Sequence, residues 1–123
     1  METFWIKPKL YFGPEPMDAL DRLAGKRVLI VTDAFLASSG LLDRVKNRLT
    51  GAVEIFDQVE PDPSLRLVAQ GVRMLRDFGP DAVVAFGGGS PMDCAKAMCW
   101  FSGDRDLPLY CIPTTAGTGS EVT

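Results

Sequence analysis

Ala82-Val83-Val84-Ala85-Phe86-Gly87-Gly88-Gly89-Ser90-Pro91-Met92-Asp93 is the stretch that decides the fold. Its apolar opening, Ala82 to Phe86, reads as a strand buried on both faces. Three glycines follow. Ser90 then takes the N-cap position, Pro91 the first helical position and Asp93 the third, so a helix is predicted from Pro91 to about Phe101. A buried strand feeding a helix through a glycine turn is the building unit of a parallel α/β sheet.

The same alternation continues on both sides. Val28–Val31, Val53–Phe56 and Leu109–Ile112 are further compact apolar runs of strand type. Leu65, Val68, Ala69, Val72, Leu75 and Phe78 form one helical stripe, with Ser64 placed to cap it and Gly79-Pro80 to stop it. Leu41, Leu42, Val45 and Leu49 recur at helical spacing between Gly40 and Gly51, and a first helix is expected over Met17–Leu23. Phe4–Ile6 and Lys9–Phe12, across Pro8, read as a short antiparallel hairpin. The expectation is one Rossmann-like α/β domain, residues 1–123, with a mainly parallel sheet flanked by helices and an N-terminal β-hairpin.

Composition narrows the function. The 123 residues are 46% hydrophobic and 24% charged, with a net charge of −3, which suits a soluble globular domain. That balance supplies no positive field for nucleic acid or an anionic membrane, so neither is expected as a partner. No apolar run approaches a membrane span and no signal peptide is indicated, so a cytoplasmic location is expected. Cys94, Cys99 and Cys111 lack C-x-x-C spacing and read as buried, reduced thiols, the first two on different sides of one helix. The chain contains no histidine, and so lacks the commonest general base and transition-metal ligand.

Chemistry concentrates at the ends of the apolar runs. Gly87, Gly88 and Gly89 strip side chains from a turn that opens a helix, where unpaired amides and the dipole favour an anion such as a pyrophosphate. Ser90 and Asp93 also cap a helix in that reading. The run is neither a Walker loop nor G-x-G-x-x-G. Lys96, in the second helical turn, can pair with Asp93, meet a bound phosphate, or be solvated. Asp33 ends the Val28–Val31 run, where it can bind the hydroxyls of an adenosine ribose and repel a 2′-phosphate, or cap the helix from Ala34. Pro113 to Ser120 forms a stiff, hydroxyl-rich loop suited to gripping ribose, phosphate or a carboxamide.

These residues carry a resemblance. Gly87 to Lys96 resembles the GGGSxxDxAK signature of the iron-containing alcohol dehydrogenase family, and Pro113 to Thr123 resembles its second signature. Thr3-Phe4, Leu10-Tyr11, Asp33–Ala37, Leu41–Asp43 and Trp100–Ser102 look like the branch acting on 1-propanol in propanediol-utilisation microcompartments. The resemblance implies NAD as cofactor. Gly87 to Ser90 would hold its pyrophosphate, Asp33 its adenosine ribose, and Thr114, Thr115 and Thr118 its nicotinamide side. Asp93 and Lys96 would complete that framework. Asp62 stands where the family often has Asn, which puts that cofactor contact in doubt. It further implies an all-helical domain, absent here, in which one Asp and three His hold Fe²⁺ or Zn²⁺. A small alcohol or aldehyde would then be the substrate, the assembly a homodimer or larger, and this chain alone inactive. A glycerol dehydrogenase or dehydroquinate synthase relative and a stand-alone nucleotide-binding module are the alternatives.

Overall fold

The computed structural model describes residues 9–10, 16–104 and 106–114, with side chains described from Leu20 onward. Five strands, β1 (Lys9–Leu10), β2 (Val28–Val31), β3 (Val53–Phe56), β4 (Ala82–Gly87) and β5 (Leu109–Pro113), form one sheet in the order β1-β5-β4-β2-β3. Every described pairing is parallel. Of the expected hairpin, Phe4–Ile6 lies outside the described residues, and Lys9–Leu10 lies parallel to β5. Parallel strands need long crossovers, and the helices provide them.

Those crossovers are α1 (Ala34–Ser38) and α2 (Leu41–Lys46) between β2 and β3, α3 (Leu65–Phe78) between β3 and β4, and α4 (Gly89–Ser102) between β4 and β5. The segment expected as a first helix is a 3-10 helix, Pro16–Leu23. Alternate strand residues face two cores. Leu29, Val31, Val83, Ala85, Leu109 and Cys111 meet α3 and α4 on one side. Val28, Ile30, Val84, Phe86 and Ile112 meet the 3-10 helix, α1 and α2 on the other. Both faces of β2 and β4 are therefore dry, as their unbroken apolar runs require.

Local chemistry sets the boundaries. Ser64 caps α3 by accepting the Leu67 N–H at 3.1 Å, and Gly79 ends it in a left-handed conformation. The Arg27 guanidinium donates to the Phe78 carbonyl at 2.6 Å and lies over the Phe78 ring, tying the C-terminus of α3 to the start of β2.

Cys94 and Cys99, five residues apart on α4, are both buried and belong to one core cluster, as the reading of buried thiols expects. The reason is that α4 is wedged between sheet and α3, so a wide arc of it is buried. Burial pushes the Cys94 thiol up to about 11. Burial, with the charges of Asp104 and Cys111 adding to it, pushes Cys99 to about 12. Burial also raises Cys111, against the pull of Lys96. Thiolates are the reactive form. A thiol reagent at about pH 8 is therefore expected to leave the folded protein untouched and to titrate all three cysteines once urea unfolds it; rapid native labelling would contradict this packing.

Candidate functional site

β2 and β4 are neighbours whose outgoing connections leave toward opposite faces, α1 to one core and α4 to the other. Such a divergence opens a crevice beyond the carboxyl ends of the two strands, where open α/β sheets bind ligands. A cavity of about 220 Å³ lies there, lined by Asp33, Leu36, Val59, Glu60, Pro61, Gly88, Gly89, Ser90, Pro91 and Thr114. A larger groove of about 460 Å³, lined by α3 residues and Phe101, lies away from the strand ends and is mostly apolar. Of these two, only the smaller brings together glycine backbone, hydroxyls and carboxylates.

The glycine turn separates into two parts. Gly87 has φ 142°, and a Cβ there would sit 2.8 Å from Pro91 Cγ and 3.1 Å from Leu36 Cδ1. The fold itself demands that glycine. Gly88 is extended, with its nearest obstacle the Thr114 carbonyl at 3.7 Å, and Gly89 has nothing within 4 Å. Side chains would fit at both positions, and both residues line the cavity.

The helix begins two residues earlier than expected. Gly88, not Ser90, is the N-cap of α4, and no side chain caps it. Ser90 and Pro91 instead lie in the first turn, where proline's missing N–H is harmless. Gly88 accepts the Met92 N–H at 3.3 Å, and among the described residues no side chain caps the first-turn amides. That leaves the positive end of the dipole facing the crevice with its donors uncommitted to a cap.

Other expected residues divide. Asp33 accepts the Leu36 N–H at 2.8 Å through Oδ1, so it caps α1, and it also lines the cavity. The capping reading holds, and the ribose reading is left with a carboxylate on the cavity wall. Thr114 is tied to the turn by its N–H, which donates to Gly87 O at 2.9 Å. Its Oγ1 is fully buried without a hydrogen-bond partner among the described residues. A buried hydroxyl left unbonded is costly, and a ligand atom in the crevice would relieve it. Thr115 and Thr118 lie outside the described residues. Asp62, Asp93 and Lys96 are exposed and do not line the cavity. Among the described residues no ion pair joins Asp93 to Lys96. Asp62 has φ 54°, a region that Asn and Asp tolerate best among side chains other than glycine, so backbone geometry accounts for its type.

Sequence reasoning missed two groups. Glu60 lines the cavity as a second carboxylate, and Thr32 is the one fully buried polar side chain among the described residues. A lone threonine closing an all-apolar strand was the available signal for the latter.

The sequence matches a family described as iron-containing alcohol dehydrogenase over residues 7–123. The chain belongs to that family. It is 41% identical over 128 residues to the 1-propanol dehydrogenase PduQ of Citrobacter freundii, which covers all of this chain and 35% of the relative. The iron-containing alcohol dehydrogenase structure from Thermotoga maritima superposes with TM-score 0.73 at 38% identity, covering 98% of this chain and 40% of that one. The sulfoacetaldehyde reductase of Bifidobacterium kashiwanohense, solved in complex with NAD⁺, gives TM-score 0.70 at 30% identity, covering 99% and 39%. This member of the iron-containing alcohol dehydrogenases thus spans little more than a third of its relatives' length. Among the described residues no three His, Cys, Asp or Glu side chains gather as a metal site, and no helix is long and apolar enough to cross a membrane.

Proposed function

We propose that this chain is the NAD-binding portion of a metal-dependent dehydrogenase that interconverts a short primary alcohol, 1-propanol, and its aldehyde. The observation that carries the reading is the uncapped start of α4, fronted by two glycines the fold does not require. Backbone amides of Gly88, Gly89 and Ser90 hold the pyrophosphate, and Asp33 accepts from the adenosine ribose while keeping its cap on α1. Glu60 joins Asp33 in making that wall negative, which favours NAD over a 2′-phosphorylated cofactor. Thr114, with Thr115 and Thr118 beyond it, lines the route toward the nicotinamide. Bound there, NAD supplies a hydride acceptor. Asp62, Asp93 and Lys96 are given no cofactor contact in this reading.

Fe²⁺ or Zn²⁺ and the alcohol belong to the remaining two-thirds of the enzyme, as does assembly into a dimer or larger oligomer. A place inside a microcompartment enters this reading through the resemblance to the 1-propanol branch. Calorimetry on this chain is expected to show NAD⁺ binding and much weaker NADP⁺ binding, with no turnover of 1-propanol. Failure to bind NAD⁺ sinks the cofactor assignment, and measurable turnover sinks the division of labour.

A further inference from the structure

Backbone pairing between β2 and β4 ends at Val31–Ala85. One residue later the two chains part, β2 toward Asp33 and α1, β4 toward Gly87 and α4. Thr32 stands at the fork, completely buried. Its Oγ1 donates to the Phe86 carbonyl at 2.7 Å, crossing the gap where the ladder stops. Its N–H donates to the Phe56 carbonyl at 2.9 Å, and its carbonyl accepts the Val59 N–H at 3.4 Å. One residue therefore joins three chain segments, immediately before Asp33, immediately before the glycine turn, and next to Glu60.

We infer that Thr32 is a positioning residue, whose hydroxyl fixes the ribose-side carboxylate relative to the pyrophosphate-side amides. It touches no ligand. Pyrophosphate and ribose belong to one molecule, so their subsites must keep a set separation, and small misplacements in such a site are expensive. The bond is buried, where a side-chain hydrogen bond is stiff and its loss is felt. Rigid strands hold the rest of the sheet in register. At the fork a side chain carries that job, because the backbones have diverged. This inference rests on the cofactor reading proposed above.

The test compares Thr32→Val, which keeps the shape and loses the donor, with Thr32→Ser, which keeps the donor and loses a methyl. NAD⁺ affinity and thermal midpoint are measured on each full chain. Both substitutions are expected to lower the midpoint by similar amounts, since one loses a hydrogen bond and the other buried apolar volume. Affinity should split them: about tenfold weaker for Thr32→Val and within about twofold of the parent for Thr32→Ser. Should Thr32→Val not fold, Thr32→Cys, a weak donor of similar size, is expected to fall between, about threefold weaker. NAD⁺ affinity that is unchanged in Thr32→Val, or that simply follows the midpoint in both variants, overturns the inference and leaves the cofactor site standing. A parent chain that binds no NAD⁺ overturns both together.

Discussion

Gly89→Val is expected to leave the chain folded, with its thermal midpoint within a few degrees of the parent, and to weaken NAD⁺ binding by about 100-fold. Nothing lies within 4 Å of a Cβ built at Gly89, and the residue is helical, so no strain opposes the change. Valine is a better helix former than glycine by a few tenths of a kcal/mol, which if anything favours the folded state. Ligand binding is another matter. Gly89 lines the cavity of about 220 Å³ at the mouth of α4, and the added side chain is expected to occupy part of it. It denies a phosphate close approach to the first-turn amides, and it replaces polar, hydratable backbone with hydrocarbon.

The control is Gly87→Ala, where the order of effects reverses. Gly87 at φ 142° is in a region that side chains rarely adopt, and its Cβ would press on Pro91 and Leu36. Stability should fall by about 2 to 3 kcal/mol, with affinity falling as a consequence. Paired calorimetry and thermal melts on the two variants separate a glycine kept for the chain from a glycine kept for the ligand. An equal loss of stability in both would mean that the whole turn is structural. Undiminished NAD⁺ binding by Gly89→Val would remove the phosphate cradle from this helix.

How far the sequence spoke depends on the kind of signal. The strands were legible because runs such as Val28–Val31 and Ala82–Phe86 have to be buried on both faces, and their neighbours follow from the helices between them. The start of α4 was not, because Ser90-Pro91 looks like the best available cap and first-turn pair. Glycine needs no side chain to begin a helix, and the tight exit from β4 sets the boundary two residues earlier. Cys94 and Cys99 were legible as buried thiols, but not as members of one cluster, because helical spacing says nothing of how wide an arc neighbouring elements will cover. Asp33 was legible as either a cap or a ligand contact, and the fold makes it a cap that also lines the crevice. Thr32 and Glu60 gain their roles from residues distant in sequence, Phe86 for one and the β2–β4 crevice for the other. Local pattern carries no record of such partners.

Gly51→Ala is expected to be the most destabilising single-methyl addition among the described glycines, at about 3 kcal/mol, or roughly 10 °C in midpoint for a domain of this size. A Cβ at Gly51 would overlap the Lys26 carbonyl oxygen and lie 2.8 Å from the Gly25 carbonyl carbon. These are main-chain atoms held on both sides of the contact. Gly25 N–H donates to Thr50 Oγ1 at 2.8 Å, and Val28 N–H to the Ala52 carbonyl at 2.9 Å, so the entries to β2 and β3 are laced together around this glycine. Relief requires separating them, and with them the Val28–Val53 end of the β2–β3 ladder. Gly71→Ala provides the comparison. There the added carbon meets the Met98 side chain, 2.5 Å from its sulfur. Methionine has three rotatable bonds with which to yield, and alanine regains about 1 kcal/mol of helix propensity in α3. The net cost at Gly71 should therefore stay near about 1 kcal/mol. Urea melts of the two variants decide it. If Gly71→Ala proves the worse, the tightest constraint in this domain is the α3–α4 interface, and the paired entries to β2 and β3 are more pliable than their hydrogen bonds imply.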